Sequence, residues 1–218
     1  MAGAPRTRDA ERSKRAILDA AEQVFARDGY DAASLVRIGE AAGVSRATPS
    51  YFFGSKEELY RAVLERMYAE RTAGLEPAFA PLVAWAEADT PSESLRSVLR
   101  RAVAGYLGFL AGRPTYVDLI EREALARGEH MAQLESQSTV MEDAFGVLRR
   151  RARAHGLRNF DVAQAIISLV ALGYMPVAHR DTLMRCHGLA YDDARFLRRH
   201  TDHVVDVLLH TLGAVERR

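Results

Sequence analysis

The sequence predicts an all-α fold of about nine helices, with a small three-helix unit at the N-terminus and a larger helical bundle after it. Three observations carry this reading. Ala, Leu, Arg and Glu dominate the 218 residues, and long β-branched runs are missing. Apolar residues recur at spacings of three and four, the period of a helix buried on one face. Ser, Thr or Asp precedes many of these stretches and Gly or Pro follows them, as helix ends require.

The elements follow in order. Residues 1–8 hold Pro5 and no apolar anchor, so they are expected to form a disordered arm. A helix over 9–28 buries Ile17, Ala20, Ala21, Val24 and Phe25 and ends at Gly29. Ser34 caps a short helix to residue 42, with Leu35, Ile38, Ala41 and Ala42 inside and Gly43 breaking it. Ser45 caps a third helix over 46–53. Ser55 opens a fourth, and Glu58 three residues later completes a capping box.

The remainder reads as longer helices. One runs from 56 towards 76, where Pro77 and Pro81 interrupt it. Thr90-Pro91-Ser92-Glu93 starts another, reaching 111. Further helices are expected over 115–127, 130–155, 161–178 and 192–213, with a loop at 179–190. Arg149, Arg150, Arg151 and Arg153 crowd the end of the 130–155 helix. They read as solvated cations at the negative end of a helix dipole rather than as a nucleic-acid patch.

Composition narrows the function classes. Hydrophobic content is 48% and charged content 27%, an ordinary globular balance. The one cysteine, Cys186, cannot form an internal disulfide, in keeping with a cytoplasmic location. No apolar core follows the charged N-terminus, so no signal peptide is read there. The 161–178 run is apolar nearly all round. It is at or below the ~18–20 residues a bilayer needs and holds Gln164, Ser168 and Pro176. It reads as a helix buried against its own core and a partner subunit, not as a membrane span. Net charge is only +1, but residues 1–15 carry Arg6, Arg8, Arg12, Lys14 and Arg15 against Asp9 and Glu11. Residues 43–56 carry Arg46 and Lys56 and no acid.

Residues 34–59, SLVRIGEAAGVSRATPSYFFGSKEEL, carry the functional signal. Two short helices joined by a turn with Gly43, and Val44 tucked behind it, make a helix-turn-helix. Its second helix fits a DNA major groove about 12 Å wide. Arg46 can donate twice to a guanine edge or reach phosphate. Thr48 offers a hydroxyl and a methyl; Ala47, Ser50 and Tyr51 lie along the same helix. Lys56 stands at the positive end of the next helix and, with Ser34 and Ser45, is placed to meet phosphate. Phe53, Val44, Ile38 and Leu59 are expected in the core.

This stretch resembles the TetR family of bacterial regulators. The resemblance rests on Ile38, Ala42-Gly43-Val44-Ser45, Thr48, Tyr51-Phe52-Phe53 and Ser55-Lys56-Glu57, in order and at fixed spacing. It departs at Pro49, inside the reading helix, which predicts a late or distorted helix start. It departs also at Ser50 and Phe52, which stand where the family often has hydroxylated aromatics or histidine, and at Gly39, which replaces the usual Ala and lets helices approach.

The resemblance implies a DNA-binding domain over 1–54 and an effector-binding and dimerisation domain over 55–218. It implies a regulator, a repressor by family habit, that binds a palindromic double-stranded operator as a homodimer and is released by a small, largely apolar effector. Tyr106, Phe109, Tyr116, Met141, Phe145 and Tyr174 are the candidate effector contacts. Ile166, Leu169, Val170, Val204, Val207, Leu208 and Thr211 are the candidate dimer contacts. Control by a protein partner is the alternative. No phosphate loop, nucleophile elbow or zinc-protease motif marks an enzyme, and no cofactor is expected. His200 and His203 share a face, but no further ligand supports a metal site.

Overall fold

The computed structural model describes residues 4–134 and 139–214, and these hold nine α-helices and no strand. They are α1 (Ala4–Ala32), α2 (Leu35–Ala41), α3 (Thr48–Phe53), α4 (Lys56–Glu87), α5 (Leu95–Gly112), α6 (Pro114–Leu125), α7 (Val140–Arg151), α8 (Val162–Ala178) and α9 (Ala194–Leu212). The chain divides into two units: Met1–Ala69 with Thr115–Glu135, and Glu70–Pro114 with Ser136–Arg218.

The first unit is built on one apolar seam. Ile17, Ala21 and Phe25 of α1, Ile38 of α2, Leu59 and Val63 of α4 and Val117 of α6 are all sealed from solvent. The α1 stripe is thus as its period predicts except at Ala20, which is only half-buried. The helix itself is longer than predicted. It starts at Ala4, taking in residues expected to be disordered, and continues as one more turn beyond Gly29, whose φ of 81° bends it. Arg66 ties α4 to α1 through Asp19 at 2.5 Å and Glu22 at 2.7 Å.

The second unit packs α5 against α8 and α9, and α7 against α8. Val98, Val103, Leu110, Phe145, Leu148 and Leu212 are among its fully buried side chains. Several helix ends differ from the sequence reading, each for a local reason. α4 continues through Pro77 and Pro81 to Glu87. Each proline removes one helix hydrogen bond, but Leu75, Phe79, Leu82 and Ala86 are buried around them and hold the helix through. α5 begins at Leu95, because Ser94 accepts from Ser97 N and supplants Thr90 as cap. Glu93 then grips Arg101 with both oxygens at 2.7 and 2.8 Å. That bond, with a further one from Ser97, pulls the Glu93 carboxyl down to about 2.

The expected 130–155 helix is replaced by a single 3₁₀ turn (Met131–Gln133) and by α7, which Thr139 and Glu142 open as a reciprocal capping box. Its residues 135–138 lie outside the described ones. The 179–190 loop contains a π-helical turn, Arg180–Met184. Of the four arginines at the end of α7, Arg150 and Arg153 are exposed as expected, while Arg149 and Arg151 are structural. Arg149 donates to the Phe160 carbonyl at 2.8 Å, and Arg151 reaches Asp89 at 2.6 Å.

Candidate nucleic-acid interface

The geometry begins with α2. Ser34 caps it, its hydroxyl accepting from Arg37 N at 3.3 Å. The chain then turns at Gly43 (φ 68°), and Val44 N bonds the Gly39 carbonyl at 3.0 Å. Gly39 is where the turn closes on the helix. A Cβ there would meet the Ser45 carbonyl at 3.2 Å and the Pro49 ring at 3.3 Å. Any larger residue would push the reading helix outward, so the unusual glycine and the unusual proline belong together.

Pro49 does delay α3. Ala47, not Ser45, is the cap residue, and it makes no side-chain bond. Pro49 falls in the first turn, where its missing N–H would have had no helical partner, so it shortens the helix without breaking it. Ser45 is left to bond the Thr48 hydroxyl at 2.7 Å. The result is a six-residue helix whose buried proline anchors it from beneath.

The opposite side of α3 is open. Tyr51 is 83% exposed, an unusual exposure for a large aromatic. Arg46, Ala47 and Ser50 are exposed and Thr48 is half-exposed. Arg46 meets Glu40 at 2.9 Å, but both are solvated, so the pair is weak and can open for a stronger partner. Arg8, Arg12 and Arg15 add exposed cations along α1. Lys14 lies 5.9 Å from the Phe52 ring, which ties that part of α1 to α3. Ile38 and Leu59 are sealed as expected, whereas Val44 and Phe53 are only half-buried.

Lys56 has a role the sequence did not reveal. Its ammonium donates to the carbonyls of Tyr30 at 3.0 Å, Ala33 at 3.3 Å and Asp31 at 3.4 Å, closing the C-terminal end of α1. It also lies 4.3 Å from the Tyr30 ring. Before it, Glu58 accepts from Ser55 N at 2.8 Å and from its hydroxyl at 2.9 Å, the predicted box. The backbone bond first, and then the hydroxyl, hold the Glu58 carboxyl below its usual range.

The other sequence candidates separate by unit. Tyr116 belongs to the first unit, the remaining effector candidates to the second. There Phe145 is fully buried, Tyr106 and Met141 nearly so, and Phe109 and Tyr174 half-buried. Of the dimer candidates, Leu169, Val204 and Leu208 have no solvent exposure within one chain. They are core residues and cannot also meet a partner directly. Ile166, Val207 and Thr211 are half-buried and Val170 is exposed. The open apolar side of α8 is instead Ile167, Val170 and Met175, of which the sequence reading named only Val170. His200 bonds the Leu172 carbonyl at 2.8 Å and stacks on Phe196. Among the described residues no group of three His, Cys, Asp or Glu is placed to hold a metal, and no helix is long and apolar enough to cross a membrane.

A helix-turn-helix with one sealed and one open face, joined to an all-helical unit, is the architecture of a DNA-binding transcriptional regulator. Residues 17–63 match the family model for bacterial regulatory proteins of the tetR family, and residues 96–208 match a tetracyclin repressor-like C-terminal domain. The chain belongs to the TetR family.

Relatives include the transcriptional repressor NicS of Pseudomonas putida, 28% identical over 82% of both chains. The transcriptional activator FasR of Mycolicibacterium smegmatis is 30% identical over 72% of this chain and 69% of its own. Among solved structures, a TetR-like regulator from Rhodococcus sp. RHA1 superposes with a TM-score of 0.62 at 21% identity, covering 93% of this chain and 97% of its own. A putative TetR-family regulator from Mesorhizobium loti gives 0.60 at 19% identity, covering 92% and 96%. The fold is shared at these identities.

Proposed function

We propose that the protein is a ligand-responsive repressor that binds a palindromic operator as a homodimer. The open face of α3 carries this reading: Tyr51, Arg46, Ser50 and Thr48 stand clear of a core that needs none of them. Arg46 and Tyr51 read base edges, and Ala47 and Thr48 supply apolar contact to thymine methyls. Ser34 and Ser45 bond phosphate. Lys56 contributes its peptide N–H at the start of α4, since its ammonium is held by α1. Two copies place their α3 helices about 34–36 Å apart, one DNA turn, and so impose a palindrome.

Dimerisation uses α8 and α9, with Ile167, Val170 and Met175 as the apolar centre. The effector is small and largely apolar and enters among Tyr106, Phe109, Met141, Phe145 and Tyr174. It releases DNA by binding the DNA-incompetent state more tightly. Repression follows the relative named NicS; activation, as in the name of FasR, is the competing sign. The close packing of Tyr106, Met141 and Phe145 keeps a protein partner as the alternative controller. The test is selection of duplexes from a random pool at two salt concentrations, with sedimentation of the free protein. A palindrome bound less well at high salt by a dimer supports the reading; a non-symmetric site or a stable monomer overturns it.

A further inference from the structure

A cavity of about 350 Å³ lies inside the first unit, where α1 bends at Gly29 and α6 gives way to the turn after it. Its lining is part charged and part aromatic, with Tyr30 and His130 presenting rings and Tyr60 packed behind them. The rings of Tyr30 and His130 are 4.3 Å apart between centroids, and those of Tyr60 and His130 are 4.9 Å apart. These rings are fixed by a buried carboxylate. Glu123, 2% exposed, accepts from the Tyr60 hydroxyl at 2.8 Å, pairs with His130 Nδ1 at 3.0 Å and accepts from the Met131 amide at 3.2 Å. A guest here would meet a preorganised wall and would order little of the protein on entry.

The charges facing the cavity are mostly negative: Asp28, Asp31, Glu123 and Glu129 against Arg122. Most are already answered. Arg122 donates to the Arg27 carbonyl at 2.5 Å, Asp28 pairs with Arg27 and with Arg37, and Glu123 holds Tyr60 and His130. Asp31 and Glu129 have no side-chain hydrogen bond or ion pair among the described residues. Burial first, and then the charges of Glu57, Asp31 and Glu129, raise the Tyr30 phenol above its usual value, so this negative field reaches the aromatic wall. The Lys56 ammonium, 4.3 Å from the Tyr30 ring, already occupies one side of that ring and is a second cation, after Arg122, near the cavity, so a cationic guest is drawn by Asp31 and Glu129 on the other side. Leu125, 79% exposed, adds an apolar lip.

We propose that this cavity binds a small organic cation, an amine on an aromatic or short apolar body, with its charge towards Asp31 and Glu129 and its body against Tyr30 and His130. An anion would meet two uncompensated carboxylates. A neutral guest would gain the aromatic contact alone. The volume suits a single ring with a short arm. The site lies in the unit that carries α3, within that unit alone, and is separate from the proposed effector contacts on α5, α7 and α8.

The test is calorimetric titration of the full-length protein with benzylamine, and with benzyl alcohol as the neutral near-isostere. Saturable binding of one benzylamine per chain, about tenfold tighter than benzyl alcohol, is expected. The double variant Asp31→Asn/Glu129→Gln should lose most of that preference while melting like the parent, because both side chains are exposed. Tyr30→Leu should weaken benzylamine with Asp31 and Glu129 intact. Equal binding of the two probes, no saturable binding, or undiminished benzylamine affinity in the double variant would overturn the assignment. The last outcome would place benzylamine elsewhere in the molecule. Operator binding is not read in this experiment, so failure here leaves the DNA-binding proposal untouched.

Discussion

The helix-turn-helix and the α8–α9 pair make opposite use of exposed side chains. In the first, a short helix is pinned by Pro49 against Gly39 and presents Ser50 and Tyr51 to solvent, with Arg46 in the turn just before it. In the second, one side of an apolar helix is sealed by its own chain while Ile167, Val170 and Met175 stay open. The reading face is a polar surface on a small core. The proposed pairing face is an apolar surface that its own chain leaves open. A polar face tolerates water between encounters with DNA, whereas an open apolar stripe gains from a partner that removes it from water.

The largest effect should come from the pairing face. Ile167→Asp with Val170→Asp would place charge in the centre of the proposed interface, and is expected to give a monomer in sedimentation. Operator affinity should then fall by about 100-fold or more, since one half-site replaces two. The same variants should change the melting of the monomer little, because both positions are already exposed in one chain. Substituting Leu169 with Asp would instead unfold the second unit, since that side chain has no solvent exposure. That contrast separates interface from core.

On the reading face, Arg46→Ala and Tyr51→Ala should each weaken operator binding by about tenfold, with no loss of thermal stability. Gly39→Val breaks the comparison from beneath. It forces α3 away from α2 and should lower stability by about 1–3 kcal/mol in denaturant unfolding, with operator affinity falling alongside. Lys56→Met should act through stability more than through DNA. It leaves the carbonyls of Tyr30, Asp31 and Ala33 without their shared donor, and is expected to cost about 1–2 kcal/mol.

The two regions also differ in how legible they were. The helix-turn-helix was readable because its polar residues fall on one side and its motif has fixed spacing. Pro49 was legible as a late start, and Gly39 as a close approach. What could not be read was Lys56, whose partners lie at the end of α1, far off in sequence and displayed only by backbone carbonyls. α8 was legible as a helix, yet not in its facing. A helix that is apolar all round has no period to mark its outer side, so Leu169 was expected outside and is inside. The same blindness assigned Val204 and Leu208 to a partner. Pro77 and Pro81 misled in another way, because burial of Leu75, Phe79 and Leu82 outweighs a local rule.

The smallest predicted effect concerns acid. The Glu93 carboxyl is lowered to about 2 by Arg101 and Ser97. Its contribution to stability is present above the ordinary carboxylate value and is lost as pH falls from there through about 2. Glu93→Gln should therefore melt slightly earlier at neutral pH, and the gap from the parent should close as the solution is acidified towards pH 2.

The central claim is that α3 reads bases, and duplex selection with altered readers tests it most directly. The selection from a random pool would be repeated with Arg46→Lys and with Tyr51→Phe beside the parent. The same half-site spacing is expected throughout, with preference relaxed at one or two symmetric positions in each variant. Identical preferences in all three proteins would contradict it and move base reading off this helix.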